Sequence, residues 1–161
     1  MPEQTRLEAL YARRFDLVYR ICFLFLKNPS DAEDATSVVF LRVLESAVQF
    51  ASEEHEKAWL IRTTRNVCKN ELRRKARQHL SLDAVPETPT TGSEMDETLP
   101  VLLSLPEHYR TALYLYYYEG YSSMETARLM RKNESTIRTY LARGRTLMKQ
   151  RLSEGTERNP T

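Results

Sequence analysis

Apolar residues recur at steps of three and four along the first stretch of the chain, at Leu7, Leu10, Tyr11, Val18, Tyr19, Cys22 and Phe25. That spacing places them near one stripe of a 3.6-residue helix, so residues 5 to 27 are predicted as a long amphipathic helix stopped by Asn28-Pro29. Ser30, with Glu33 three residues later, has the form of a capping box and predicts a second helix from Asp31 to about Val48. A third is expected from Glu56 to Arg77, with Trp59, Leu60, Thr63, Val67 and Leu72 facing inward. The pattern then breaks. The stretch SLDAVPETPTTGSEMDE holds two prolines, a glycine and many small polar residues, the composition of a flexible linker.

Helical patterning resumes with a short apolar piece, Leu99 to Ser104. Pro106 suits the first turn of a further helix, which is predicted to run to Tyr118 before Gly120 supplies a left-handed cap. Ser122 and Glu125 form a second capping box, opening a short helix that ends near Met130. Arg131-Lys132 turns the chain into a last helix, for which Asn133 is a plausible N-cap. On that helix Ile137, Leu141, Met148 and Leu152 share a stripe, while Arg138, Thr139, Ala142, Arg143 and Arg145 lie off it. A short helix, a tight turn and a second helix with a basic face suit a helix-turn-helix, and equally a hairpin in a helical bundle. The expectation is an all-α chain of two small helical domains, residues 5–79 and 98–153, joined by a flexible acidic linker at 80–97.

Charge sharpens this picture. The chain of 161 residues carries a net charge of only +2, but residues 56–77 hold eight basic residues against two acids, and residues 128–151 hold eight against one. Residues 80–97 carry five acids and no base. Two basic blocks flanking an acidic tether favour an extended polyanion as partner over a merely solvated pair of helix faces. With 41% hydrophobic and 29% charged residues, no long apolar run and no signal-like start, the chain is expected to be soluble, cytoplasmic and not inserted in a membrane. Cys22 and Cys68 are expected to be buried free thiols rather than a redox pair or metal ligands. His55, His79 and His108 are too scattered for a zinc site, no cofactor is implied, and no group of nucleophile, base and orienting residue suggests an enzyme. The tyrosines of YLYYYEGY, among them Tyr114, Tyr117, Tyr118 and Tyr121, are expected to pack against the fold rather than to stack nucleobases.

Three segments in a fixed order resemble one family. DAEDATSVVFLRVL at 31–44 looks like region 2.2 of the sigma-70 family, AWLIRTTRNVCKNELRRKAR at 58–77 like regions 2.3 and 2.4, and LPEHYRTALYLYYYEGYSSMETARLM with ESTIRTYLARGR like region 4. The resemblance is to the extracytoplasmic-function group, bacterial RNA polymerase sigma factors that keep regions 2 and 4 only. It implies binding to core RNA polymerase, through the β′ clamp helices and the β flap, and recognition of −10 and −35 promoter DNA, with an anti-sigma factor as a further partner. By that resemblance Asp31, Glu33, Asp34, Phe40 and Arg42 would meet the polymerase. Arg62, Arg65, Asn66, Lys69, Asn70, Arg73 and Arg74 would act at the −10 element. Ser135, Thr136, Arg138, Thr139, Arg143 and Arg145 would act at the −35 element. Amide and guanidinium groups are the side chains that pair with base edges, which agrees with these assignments.

The chain departs from the family pattern at four places. Ser37-Val38 stands where Gln-Glu is usual, Arg131 replaces a glycine, Lys132 an apolar residue and Thr126 an isoleucine. A left-handed Arg131 would cost roughly 1 kcal/mol, which suggests a looser or longer turn there. The other function classes compatible with these features are a stand-alone helix-turn-helix regulator, a sigma-like protein that binds polymerase without initiating, and an RNA-binding helical protein.

Overall fold

A computed structural model describes residues 3–78 and 98–158, with side chains described as far as Glu154. The chain divides into two compact units, Met1–Glu87 and Thr88–Thr161. The 80–97 segment read as a linker lies outside the described residues. Within the described residues all regular structure is helical.

The first unit is three helices, α1 (Glu3–Leu26), α2 (Pro29–Ser46) and α3 (Glu53–Arg77), each packed on the other two. Leu10, Leu17, Val18, Ile21, Cys22 and Phe25 of α1 are buried, as are Val39 and Phe40 of α2 and Leu60, Ile61, Val67 and Cys68 of α3. Lys27 ends α1 in the left-handed region (φ 60°) while its amide still bonds to the Phe23 carbonyl. The cap of α2 is Asn28, whose side-chain oxygen accepts the Asp31 amide at 3.1 Å, and not Ser30. Pro29 explains the shift: its fixed φ and missing N–H suit the first helical position, which starts the helix one residue before Ser30.

Ser52 caps α3 by accepting the His55 amide, so this helix starts three residues before the predicted Glu56. Its acidic first turn and basic last turn both complement the helix dipole. Glu56 is 5% exposed and ties α3 to α1: Arg13 donates to it twice, at 3.1 and 2.7 Å, and Arg14 once, at 2.7 Å. Thr64, rather than Thr63, is the fully buried threonine. Trp59 is half-buried beside Phe50, their rings 5.7 Å apart and edge-on.

The second unit comprises α4 (Leu99–Ser104), α5 (Glu107–Leu113), a π-helical turn at Tyr114–Tyr118, α6 (Ser123–Met130) and α7 (Glu134–Arg158). α7 packs on α4, α5 and α6. Pro106 sits just before α5, one position earlier than predicted. Arg110 is 5% exposed, and its Nη1 donates to the carbonyls of Leu103 and Leu105 at 3.0 Å each, closing the end of α4. Burial lowers its pKa from the usual arginine value. Gly144 of α7 lies against Leu113 so closely that a Cβ there would stand 2.9 Å from the Leu113 Cδ1. α5 and α7 therefore meet where one of them has no side chain.

The π-helical turn breaks the continuous helix expected to reach Tyr118. Tyr114 is buried and its hydroxyl donates to Glu119 at 2.7 Å, whereas Tyr117 and Tyr118 are about half exposed. Gly120 takes the left-handed conformation predicted for it (φ 76°), and the Tyr121 amide reaches back to the Leu115 carbonyl.

Candidate nucleic-acid interface

The helix-turn-helix is α6, a turn and α7. Ser122 and Glu125 form the predicted reciprocal cap at the start of α6. At its end Arg131 is left-handed (φ 56°, ψ 47°), the Lys132 amide bonds to the Ala127 carbonyl at 2.9 Å and the Arg131 amide to Arg128 at 3.3 Å. This is a Schellman ending with arginine in the place that usually takes glycine. The turn is neither looser nor longer for it, because both of the closing hydrogen bonds form. Ser123 Oγ donates to Glu134 at 3.1 Å and pins the start of α6 to the start of α7. Thr126, Ala127, Leu129 and Met130 face Ile137 and Leu141 across the buried side of the pair.

On the opposite side of α7, Ser135, Arg138, Thr139, Ala142, Arg143 and Thr146 are exposed and share one face by helical phase. Thr139 and Thr146 turn their hydroxyl protons back to the carbonyls of Ser135 and Ala142. Arg138 extends into solvent, steadied by Glu134 at 2.6 Å. Two of the predicted residues lie off this face. Thr136 is half-buried on its flank. Arg145 points round the helix and donates to the Tyr117 hydroxyl at 2.9 Å.

That hydrogen bond closes one side of an apolar groove of about 590 Å³ between α4, the π-helical turn and the far half of α7. Leu102, Leu113, Tyr117, Tyr118, Met148 and Leu152 line it, with Arg145 and Lys149 at its rim. Met148 and Leu152, expected on the packed stripe, thus form groove wall rather than sealed core, and Leu152 is 37% exposed. Sequence reasoning missed the groove because the wall comes from three separated segments.

In the first unit, Arg62, Asn66, Asn70 and Arg73 are exposed on one face of α3, with Lys69 half-exposed among them. Arg77 extends the row and was missed, although it continues the spacing of four from Arg73. Arg65 is corrected: at 6% exposure it lies on the buried side of the helix and does not join this row. Arg74 stands at the edge, held by Glu71 at 2.5 and 3.1 Å and by Gln78 at 3.1 Å.

α2 carries the candidate polymerase contacts. Glu33, Asp34 and Arg42 are exposed. Asp31 is ion-paired with Lys75 at the far end of α3. Phe40 is corrected from a contact residue to a support: it is 4% exposed and packs on Tyr11, ring centroids 4.8 Å apart. Beside it lies an apolar strip that sequence reasoning did not select, formed by Tyr11, Val38, Leu41 and Leu44, each at least 38% exposed. α2 has apolar residues on both faces, so periodicity alone did not separate the outward Val38 and Leu41 from the inward Val39 and Phe40. Burial and the neighbouring Glu33 raise the pKa of Tyr19, which continues the aromatic row of α1 from Phe15.

Among the described residues no helix is long and apolar enough to cross a membrane, and no three His, Cys, Asp or Glu side chains gather as metal ligands.

Comparison with known proteins identifies both units. Residues 10–78 match the family model for sigma-70 region 2, and residues 99–148 match that for sigma-70 region 4. The ECF RNA polymerase sigma factor SigW of Bacillus subtilis is 25% identical, over 86% of this chain and 84% of its own. SigM of the same organism is 27% identical over 92% and 96%. Among solved structures, the sigma factor RpoE of Bartonella quintana, in complex with the anti-sigma factor NepR, superposes with a TM-score of 0.75 at 19% identity, covering 91% of this chain and 96% of its own. CnrH, solved with the cytosolic domain of CnrY, gives a TM-score of 0.68 at 19% identity over 94% and 90%. Both show the same fold. With its two units matching regions 2 and 4 in order, the chain belongs to the sigma-70 family of RNA polymerase sigma factors, in the extracytoplasmic-function group.

Proposed function

We propose that this sigma factor divides its work between two separate basic faces, one per unit. Residues 5–79 act as region 2, docking on the β′ clamp helices of core polymerase and engaging the −10 element. Residues 98–153 act as region 4 and read the −35 element. The observation that carries this is the pairing of an exposed amide-and-arginine row on α3 (Arg62, Asn66, Asn70, Arg73) with an exposed hydroxyl-and-arginine face on α7 (Ser135, Arg138, Thr139, Arg143). Amides and guanidinium groups supply the donors and acceptors that discriminate base pairs, while the flanking Lys69 and Arg77 supply phosphate contacts.

Docking follows from the outer surface of α2. Asp34 and Arg42 provide charge around the strip of Tyr11, Val38, Leu41 and Leu44, so the contact is more apolar than the usual Gln-Glu pattern would make it. In the second unit the groove bounded by Tyr117 and Leu152, apolar within and with Arg145 and Lys149 at its rim, suits an apolar segment with acidic flanks, the role assigned here to the β flap. An anti-sigma factor would silence the protein by covering these same surfaces. The protein works in the cytoplasm and carries no catalytic step itself; polymerisation belongs to the core enzyme.

The experiment is footprinting with and without core polymerase, on a promoter first identified by run-off transcription from genomic fragments. Free protein is expected to give little protection, because a tether gives at most about millimolar effective concentration and falls lower when its span is mismatched. Holoenzyme is expected to protect −35 and −10 together. A symmetric footprint from free protein that core polymerase leaves unchanged would instead identify a stand-alone helix-turn-helix regulator.

A further inference from the structure

Between Arg128 and Arg151 the chain holds eight basic residues and a single acid, Glu134. That acid is not turned away from the basic face. Its Oε1 accepts the Arg138 Nη2 at 2.6 Å and the Ser123 hydroxyl at 3.1 Å, so one carboxylate oxygen joins the start of α6 to the exposed face of α7. Glu134 is the more sheltered member of the ion pair, its side chain 30% exposed against 70% for Arg138. Arg143, five residues further along the same face, has no such carboxylate partner among the described residues. A carboxylate on a face that meets DNA costs affinity, because the phosphates repel it. Only one of the two arginines on this face carries that cost.

We propose that Glu134 makes Arg138 a reader of bases rather than a binder of phosphates, and so sets how strictly the −35 element is selected. This role rests on the reading of α7 as the −35 helix given above.

A guanidinium group has five N–H donors in one plane, and the bond to Glu134 engages Nη2, which keeps a second hydrogen. That hydrogen and those of Nη1 remain for a pair of acceptors. Guanine N7 and O6 are such a pair and carry no net charge, so Arg138 can donate to both with its bond to Glu134 intact. A phosphate offers two acceptors as well, but it brings a full negative charge up to the carboxylate. Paired with Glu134, Arg138 has little net charge left to attract a phosphate, and to leave Glu134 for one it must give up the 2.6 Å bond. Non-specific DNA, which is held through its phosphates, is thereby penalised, while a correctly placed guanine is not. Arg143, with no carboxylate beside it, supplies the phosphate contact.

Ser123 steadies the carboxylate from the other helix. It is the first residue of α6 and Glu134 the first of α7, so the oxygen that orients Arg138 is itself referred to the two-helix frame. An ion pair four residues apart that only supported the helix would act equally on all DNA. The role assigned to Glu134 differs in that it acts on discrimination.

The test measures holoenzyme binding to two promoter fragments, one with the selected −35 element and one with that element scrambled, over a range of salt concentration. E134Q keeps an acceptor for Ser123 and Arg138 but loses the charge. Its affinity for the scrambled fragment is expected to rise several-fold and that for the selected fragment to change less, so the ratio between them falls several-fold. On the scrambled fragment the slope of log affinity against log salt should steepen by about 0.9, the mark of one more phosphate contact. R143A should instead weaken both fragments alike, and E134Q placed in an R138A background should no longer alter the ratio. S123A, which leaves the charge in place, should change the ratio less than E134Q does; an equal change would assign the effect to the link between α6 and α7 and overturn the role of Glu134. An unchanged ratio in E134Q, or the same fall in the R138A background, would overturn it too. R138A alone tests the underlying reading: if it discriminates the two fragments as well as the wild type does, base reading through Arg138 fails and the role of Glu134 with it, whereas a loss in R138A beside an unchanged E134Q removes Glu134 only.

Discussion

Lys75, in the last turn of α3, is ion-paired with Asp31 in the first turn of α2. The end of the helix proposed to engage the −10 strand is thereby clamped to the start of the helix proposed to dock on polymerase. Asp31 already has an intramolecular partner, whereas Asp34, three residues on, is exposed.

The two carboxylates should therefore respond differently to charge reversal. D34K is expected to weaken core binding with unfolding unchanged to within about 0.5 kcal/mol, the usual range for a surface substitution. D31K places like charges together and should lower the stability of the first unit by about 1 kcal/mol as well. Competition for core polymerase and thermal unfolding of the same two proteins check both; equal core affinity for D34K and wild type would remove α2 from the docking surface.

Glu56 gives the first unit a pH dependence. Burial alone would raise the pKa of its carboxyl, but hydrogen bonds from Arg13 and Arg14, with their charges, outweigh burial and hold it below the ordinary value. The unfolded chain thus takes up this proton at higher pH than the folded one. The stabilisation is complete above the unfolded value near 4.5 and drains away as pH falls through the lower folded value. E56Q should cost about 1–3 kcal/mol at neutral pH, the range for hydrogen bonds to charged groups. In melts run from pH 7 down to pH 3, the gap between wild type and E56Q should narrow below about pH 4.5; a constant gap would contradict this account.

Two substitutions are expected to stabilise the helix-turn-helix. The Thr126 hydroxyl is completely buried without a hydrogen-bond partner, so T126V keeps the shape, removes the polar atom and should gain about 1 kcal/mol. R131G relieves the left-handed arginine and should gain a similar amount, about 1 kcal/mol. The sites are neighbours in the chain, so the double variant is the informative one: denaturant midpoints should rise in both singles and further in the pair.

The two arginines of α7 should separate by function. R138A is expected to relax −35 preference, since an arginine bidentate to guanine contributes about 1–3 kcal/mol of discrimination. R145A removes the bond to Tyr117 and should reduce region 4 docking on core while leaving −35 base preference unchanged. Selection of −35 sequences by each holoenzyme measures this, and a matching loss of preference in R145A would return Arg145 to the DNA face.

Periodicity made every described α-helix legible in the sequence, though not the π-helical turn at Tyr114–Tyr118, and the caps at Ser122 and Gly120 followed from local chemistry alone. Errors arose where two signals competed or where phase mattered. Asn28 and Ser30 are both good caps, and Pro29 decides between them. Arg65 sits in a basic run, but charge counting ignores which way a helical residue faces. Arg145 is turned by Tyr117, a partner 28 residues away, and nothing near Arg145 in the sequence encodes that. Phe40 sits next to the outward Leu41, and only packing against Tyr11 shows which of the two faces in.

The π-helical turn at Tyr114–Tyr118 has a geometric effect beyond ending α5. Its wider loop spaces successive residues more closely around the helix circumference than an α-turn does, so Tyr117 and Tyr118 lean out side by side while Tyr118 stays stacked on Tyr114, their centroids 5.8 Å apart. The groove therefore has a double-thickness aromatic wall with two phenol hydroxyls along its crest. One of these is held by Arg145, and the other lies 3.4 Å from the Thr98 hydroxyl. The wall's height is set by backbone hydrogen-bond register rather than by side-chain choice: shortening the loop by one residue would swing one tyrosine away and leave a shallow shelf with all the same residue types still present.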